Sequence, residues 1–336
     1  MIEAIKRYAL SLQTSTAACF SLFDLNILYA FGRFTHTNLI QKKAPFCVTK
    51  PLLQPETPSF SSFNEESPLD WRVGWMSFLN TLPMRHGIET FMPASVQHFY
   101  GVPSLLNTAL LSGNLDISLV STAAYLKHQD AWQLLPFLSI SSCGPVNSVL
   151  WIRQKSFDPL LHAVQCPDSS ASSEALLRYI LTHRYDASTL RYETYSHQKS
   201  VSDCLNTAQN ALLIGDVALR FYAETKAGQY NELEVLDLAS VWNDLTGHPF
   251  LFGVWCARKP FWQANQAHIL AWGKALIQQT QANLLHPQVM YQTYRQNAEP
   301  PLFSEALLQA YWCEQLDYNF TASHHAALET MDRLLR

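Results

Sequence analysis

None of the short constellations that announce common enzyme chemistries occurs in these 336 residues: there is no G-x-G-x-x-G, P-loop, H-E-x-x-H or G-x-S-x-G. Dinucleotide and nucleoside-triphosphate cradles, zincin helices and the serine-hydrolase elbow are therefore not expected. Charge is also scarce. Only 15% of residues are charged and the formal net charge is -4, so no basic field exists to hold a nucleic acid or an anionic bilayer, and neither partner is expected. The seven cysteines, Cys19, Cys47, Cys143, Cys166, Cys204, Cys256 and Cys313, are scattered, odd in number and never spaced as C-x-x-C. That argues against both a disulfide framework and a structural zinc, and a reducing, cytoplasmic setting is the simplest fit. The twelve histidines are dispersed without ligand spacing, so no metal and no cofactor is expected. His197 and His248 are the two best placed to lie near a cleft. No run of about 18 or more apolar residues appears, which excludes a helical membrane span.

What is present is a chain with 48% apolar residues and enough length for two compact domains with real cores. Near the N-terminus, Lys6 and Arg7 precede a mildly apolar stretch ending at Ala17-Ala18-Cys19. Ser11, Gln13, Thr14, Ser15 and Thr16 interrupt it, whereas an export signal needs a continuous apolar core of about 7 to 15 residues. Pro45, Pro51, Pro55, Pro58 and Pro68, mixed with Ser59, Ser61, Ser62 and Ser67, resist both helix and ladder and read as a linker. Residues 1–70 are therefore expected to be an extension and linker with no fixed packing, and the folded unit to start near Trp71.

From Trp71 onward, strand-like and helix-like segments alternate, the pattern of a mostly parallel sheet with helices on its faces. In Arg72-Val73-Gly74-Trp75-Met76-Ser77-Phe78-Leu79-Asn80, the β-formers Val73, Trp75 and Phe78 predict a strand, and Pro83 is expected to hold the backbone before it out of the helical region. Asn80 then stands at a strand end, where open α/β sheets keep their ligands. Pro103 and Ser104 open a helix that Gly113 closes, and strands follow over 115–119 and 133–138 with a short helix at 123–128 between them. Further strands are predicted over 148–152, 211–214 and 250–257. Helices are predicted over 173–181, after Pro260 with the stripe Ile269, Trp272, Leu276 and Ile277, and over 304–313 and 323–335.

Four segments could carry chemistry. Asp168-Ser169-Ser170-Ala171-Ser172-Ser173 directly precedes a helix, and free N–H groups joined by hydroxyls there would make an anion site suited to a carboxylate. The alternative is a plain N-cap made by Ser170 or Ser172. In Ser141-Ser142-Cys143-Gly144-Pro145-Val146-Asn147-Ser148, the polar residues after a Gly-Pro turn could line a cleft or simply bond their own backbone; Ser148 is the stronger candidate. Asp216, after Ile214-Gly215, could bind a substrate hydroxyl or cap the helix at Val217. The segment Thr246-Gly247-His248-Pro249-Phe250-Leu251-Phe252-Gly253-Val254-Trp255 could be the wall of an aromatic cleft or ordinary core.

Taken in order and spacing, Arg72-Val73-Gly74 with Phe78-Leu79-Asn80 and Leu82-Pro83, Gly144-Pro145-Val146 with Ser148, the serine run 169–173, Ile214-Gly215-Asp216 with Ala218-Leu219, and Thr246-Gly247 with Pro249-Phe250, Phe252 and Trp255 resemble the chorismate dehydratase (MqnA) family. The resemblance runs from about Arg72 to Phe320. It implies a two-lobed α/β fold of the type II periplasmic-binding-protein kind, with residues 71–147 and 259–336 in one lobe, 148–258 in the other, and the active site in the cleft between them. It also implies removal of water from chorismate to give 3-[(1-carboxyvinyl)oxy]benzoate, a step of menaquinone biosynthesis, driven by aromatisation and needing no cofactor. In that family the substrate's own enolpyruvyl carboxylate is proposed to take the proton. On this resemblance Asn80 is the catalytic amide, while Ser148, Ser169, Ser170, Ser172, Ser173, Asp216, Thr246 and Gly247 are the substrate-binding set. Two positions depart from the family pattern: Ala171 lies inside the serine run, and Ala124 precedes Tyr125. A solute-binding protein of a transporter shares the implied fold. The sister enzyme that makes 1,4-dihydroxy-6-naphthoate is a further alternative, but its Cys-Pro-Asn-Asp-like start and catalytic histidine have no match at 78–83. The sequence sets no oligomeric state.

Overall fold

The computed structural model describes residues 71–88, 92, 96–183, 185–196, 200–298 and 302–335. The expectations for residues 1–70 and for His197 lie outside these. The first sheet has the strand order β2-β1-β3-β10-β4, with β1 at Arg72–Met76, β2 at Gln97–Gly101, β3 at Ile117–Ser121, β4 at Trp132–Ser142 and β10 at Phe250–Arg258. The second, ordered β8-β5-β9, is built from Val149–Gln154 (β5), Asn210–Ile214 (β8) and Leu233–Asp237 (β9). Val164–Pro167 (β6) and Tyr192–Tyr195 (β7) pair as a two-stranded parallel ribbon. The buried side chain of Asn210 joins ribbon to sheet, its Oδ1 accepting from the Gln165 N–H and its Nδ2 donating to the Ala163 carbonyl.

Only part of this is parallel. β1 runs parallel to β2 and β3, but β10 is antiparallel to β3 and β4, and β5 is antiparallel to both its neighbours. The expectation of a mostly parallel sheet is corrected to a mixed one, because the chain returns through β10 after building its second sheet. A boundary at 258 is corrected with it: β10 is hydrogen-bonded inside the first sheet, so the chain crosses back near Gly247–Phe250.

A cluster of edge-to-face indoles holds the first sheet to the helix Lys259–Leu285. Trp75 meets Trp255 at 4.8 Å, Trp255 meets Trp272 at 5.3 Å, and Phe137 meets Trp272 at 5.8 Å. Such pairs each add about 0.5 to 1.5 kcal/mol beyond the area they bury. Trp272 and Leu276 of the expected stripe are buried, as is Ile269, while Ile277 is only partly so. Beneath the sheet, Asp116 accepts hydrogen bonds from the N, Nε and Nη2 of Arg72 and from Arg258, and is 3% exposed.

Other segments fall close to their expected places: helices at Pro103–Leu111, Ala171–Thr182 and Ala322–Leu334, with Gly113 in the left-handed region after the first. Three departures have physical causes. Phe78 is not in β1; the strand stops at Met76, and a 3-10 turn, Leu79–Thr81, carries Asn80. Leu82 is helical (φ -56°, ψ -40°) although it precedes Pro83, because the proline falls in the first turn of the helix Leu82–Arg85, where its missing N–H costs nothing. The helix expected through Cys313 ends at Ala310 and continues as a π-type turn, Tyr311–Gln315.

Candidate active site

A pocket opens where the two sheets face one another. It is lined by Met76, Phe78, Asn80, Pro103, Ser121, Ser148, Val149, the run Ser169–Ser173, Ile214, Gly215, Phe252 and Leu316, and holds about 490 Å³ of space counted out to solvent. Each polar lining residue sits at an element end. Asn80 follows β1, Ser121 ends β3, Ser148 precedes β5, and the serine run spans the turn after β6 and the first residues of the helix Ala171–Thr182. Strand and helix ends are where backbone leaves its ladder and side chains can converge on a ligand.

The lining is composed wholly of apolar, hydroxyl and amide side chains. Its polar groups are well buried, yet some lack partners. Asn80 is 9% exposed and its Oδ1 has no hydrogen-bond partner, and Ser169 is 2% exposed with an unpartnered Oγ. A buried polar atom left unpaired costs roughly 1 to 3 kcal/mol, which a bound ligand would recover. The plain N-cap alternative for the serine run is corrected: Ser170 occupies the N-cap position of the helix Ala171–Thr182 but makes no capping bond, its Oγ reaching toward the Pro167 carbonyl at 3.4 Å. Ser172 Oγ instead accepts the Ala123 N–H at 3.0 Å, tying the serine helix to the helix Thr122–Lys127 beside the first sheet. The serine helix thus presents an uncapped, dipole-positive start next to the unpartnered Ser169 hydroxyl, suited to a carboxylate.

Asn80 is fixed through its main chain. Its carbonyl accepts from the Tyr318 hydroxyl at 2.8 Å, the Leu79 carbonyl accepts from Trp312 Nε1 at 2.9 Å, and the Leu79 N–H donates to Asp216 Oδ1 at 3.0 Å. Thr81 Oγ1 donates to the Met76 carbonyl at 2.8 Å and closes the turn. The side-chain amide is left for the pocket.

Asp216 does neither thing expected of it. It is not a pocket-lining residue, and Ile214, not Asp216, is the N-cap of the helix Gly215–Lys226. In the first turn of that helix its carboxylate grips the Asn80 turn from the far wall. Burial pushes its pKa up to about 6, against the Leu79 N–H and Arg85, which pull it down. Gly215 makes this approach possible, with φ +60° and a position at which a Cβ would come within 2.9 Å of the Phe78 ring. Thr246 and Gly247 are not brought to the pocket either. Thr246 Oγ1 donates to the Trp242 carbonyl, and Gly247, at φ +70°, closes the helix Leu238–Thr246. That motif is a helix stop. His248 lies beside it, outside the lining. From the aromatic segment that follows, Phe252 reaches the pocket, whereas Phe250, Leu251, Val254 and Trp255 are core. Ser141 and Ser142 bond the Asp317 and Gly144 carbonyls, and Asn147, at φ 59°, shares the Asp237 carboxylate with Val146 through backbone N–H groups; only Ser148 of that turn faces the pocket.

Ser121 escaped the sequence reading, although it ends a strand, and the strand-end rule that pointed to Asn80 could have found it. Asn107 grips it twice, donating from Nδ2 to Ser121 Oγ at 2.9 Å and accepting the Ser121 N–H on Oδ1 at 3.1 Å. Among the described residues, no group of three or more His, Cys, Asp or Glu is arranged to hold a metal ion, and no helix is long and apolar enough to cross a membrane.

Two small α/β units with a pocket between their strand ends define a periplasmic-binding-protein-like fold. Solved structures agree: a protein from Archaeoglobus fulgidus superposes with a TM-score of 0.62 at 15% identity, covering 78% of this chain and 95% of that one. The periplasmic aliphatic sulphonate binding protein of Escherichia coli gives 0.56 at 14% identity, over 79% and 90%. The sequence profile described as menaquinone biosynthesis matches residues 71–336, and the chain belongs to that family. Among curated relatives, the chorismate dehydratase of Thermus thermophilus is 34% identical over 197 residues, 56% of this chain and 69% of that protein.

Proposed function

We propose that this protein is a chorismate dehydratase, a hydro-lyase of menaquinone biosynthesis, working in the cleft between a lobe formed by residues 71–147 with 250–336 and a lobe formed by residues 148–249. The observation that carries the chemistry is the pocket's composition: one amide, six serine hydroxyls and a helix start, with no titratable side chain in the lining. Such a site binds and orients; it supplies no strong base. Chorismate suits it, because loss of the C3 proton and the C4 hydroxyl makes a benzene ring and the substrate carries its own carboxylates. The C3–H pair becomes the new ring double bond, the C4–O bond breaks, and the proton and hydroxide leave together as water.

In this reading the Asn80 amide holds the departing hydroxyl, its Nδ2 donating as negative charge develops on that oxygen and its unpartnered Oδ1 accepting from the hydroxyl proton beforehand. The uncapped start of the serine helix, with Ser169, Ser170 and Ser173, takes one carboxylate. Ser148 and Ser121 face the rest of the molecule from the other walls. Holding the dianion by neutral donors suits a protein of slight net negative charge, whose overall field gives no help. The scattered cysteines fit a reducing compartment. A solute-binding role shares the fold and could fill the same vacant acceptor; the family match over residues 71–336 and the chorismate dehydratase relative support the enzyme.

The test is incubation of the purified protein with chorismate, followed by mass-resolved chromatography. Time-dependent appearance of 3-[(1-carboxyvinyl)oxy]benzoate is the expected result. Tight binding of chorismate without product would move the protein to the solute-binding class.

A further inference from the structure

Beyond the lining itself, one buried contact controls a pocket hydroxyl from behind. Tyr311 lies in the π-type turn Tyr311–Gln315 and is fully buried, and its phenol donates to Ser148 Oγ at 2.9 Å. Turns of this kind interrupt a regular helix at some local cost and are found disproportionately at functional sites. This one holds two successive aromatic residues, Tyr311 and Trp312, behind the pocket: Trp312, also fully buried, donates to the Leu79 carbonyl, and Tyr318, beyond the turn, donates to the Asn80 carbonyl.

A serine hydroxyl has one proton and accepts on its lone pairs. With the phenol donating from behind, and no acceptor for it among the described residues, the Ser148 proton is left for the pocket that Ser148 lines. We infer that Tyr311 is a positioning residue that makes Ser148 a fixed hydrogen-bond donor, so that this wall of the pocket selects an acceptor oxygen of the substrate, a carboxylate above all, over a donor group. The inference deepens the dehydratase reading and rests on it. Burial raises the pKa of the Tyr311 phenol, so it stays protonated and remains a donor across the working range. Donation from a buried phenol also polarises the serine it reaches, since hydrogen bonds in a chain strengthen one another.

The experiment is a double-mutant cycle in steady-state kinetics with chorismate, using Tyr311→Phe, Ser148→Ala and the double variant. Wild-type turnover comes first; its absence would overturn the dehydratase reading and is thereby separated from failure of this inference. Given turnover, Tyr311→Phe is expected to raise KM about 5- to 20-fold with kcat changed less than threefold, the size of one weakened charged hydrogen bond. In the Ser148→Ala background the same substitution is expected to change KM less than twofold, because its effect passes through that hydroxyl. Loss of equal size in both backgrounds, or no loss in either, would overturn the inference in favour of a purely structural tyrosine. Should Tyr311→Phe fail to fold, 3-fluorotyrosine at 311 keeps the shape and makes the phenol a stronger donor. It is expected to lower KM in wild type and leave it unchanged in Ser148→Ala; an equal shift in both, or none, would overturn the inference.

Discussion

The two ends of strand β1 meet the same problem, polar groups shut away from water, and resolve it oppositely. At the start, Asp116 is 3% exposed and carries bonds from the N, Nε and Nη2 of Arg72 and from Arg258, while Arg258 Nε also reaches the Leu115 carbonyl. Burial alone would raise the Asp116 pKa, but those hydrogen bonds overcome it and hold the carboxyl below its ordinary range. At the other end, three hydrogen bonds to the Leu79 and Asn80 backbone hold the turn while Asn80 Oδ1 has no partner, and Ser169 Oγ also has none. The difference separates structure from function. Asp116 is satisfied inside the fold; Asn80 and Ser169 are fixed but unsatisfied in a pocket lining, where a ligand can supply the missing partner.

That comparison breaks most sharply at Asn80. Asn80→Ala removes the side chain but none of the three bonds that hold its turn, so the fold is expected to be nearly untouched. If the amide acts as one preorganised donor at the departing hydroxyl, kcat should fall about 10²- to 10³-fold, roughly 3 to 4 kcal/mol of barrier. Steady-state kinetics with a thermal melt of the same sample checks both halves. A loss under threefold, or a large drop in melting temperature, would erase the distinction between the two ends of β1.

The converse substitution, Asp116→Ala, should strike stability and spare the chemistry. It leaves two arginines facing each other without their shared anion, but both keep about a third of their side-chain surface in water, which softens the penalty. A destabilisation of about 2 to 4 kcal/mol is expected, at the lower edge of what breaking a buried pair costs. Urea unfolding measures it, and kcat per folded molecule should stay within about twofold of wild type. The sign of the pH dependence follows from the depressed pKa: the wild-type contribution is present above the ordinary carboxylate pKa and is lost as pH falls through the folded value. The gap between wild type and variant should therefore narrow in acid.

The same contrast explains what is legible in the sequence alone. The strand ends carrying Asn80 and Ser148 and the serines ahead of a helix were legible, because local pattern and element boundaries suffice to place them. Asp216 was legible as a motif but not as a role: its partner, the Leu79 N–H, lies 137 residues away, and no local rule announces such a clamp. Thr246 and Gly247 misled for a related reason, since a left-handed glycine that stops a helix looks, in sequence, like one that lets a ligand approach. The antiparallel return of β10 was equally hidden, because Phe250–Arg258 is apolar on both faces and its burial does not reveal which sheet it joins. Tyr311 falls within the helix expected over 304–313, with nothing local to mark it. Only the π-type turn, which no periodicity predicts, points it at Ser148.

Asp216 gives the smallest effect and the finest test, since it is a satisfied group placed at the unsatisfied end. Burial raises its folded pKa to about 6, above the unfolded carboxylate. The protonated form is thus the one the fold favours, and the stability it lends is present below the unfolded pKa and lost as pH rises from about 4 through 6. Asp216→Asn is isosteric and its Oδ1 can still accept the Leu79 N–H, but it never ionises. Relative to wild type, the variant should gain on the order of 1 to 2 kcal/mol between pH 4.5 and pH 7.5, opposite in sign to the trend at Asp116. Urea midpoints of both proteins at the two pH values measure this difference and cancel every other titrating group. A variant that loses stability at pH 7.5 relative to pH 4.5 would mean that the carboxylate charge is needed to hold the turn, and would place Asp216 with Asp116 among groups the fold requires ionised.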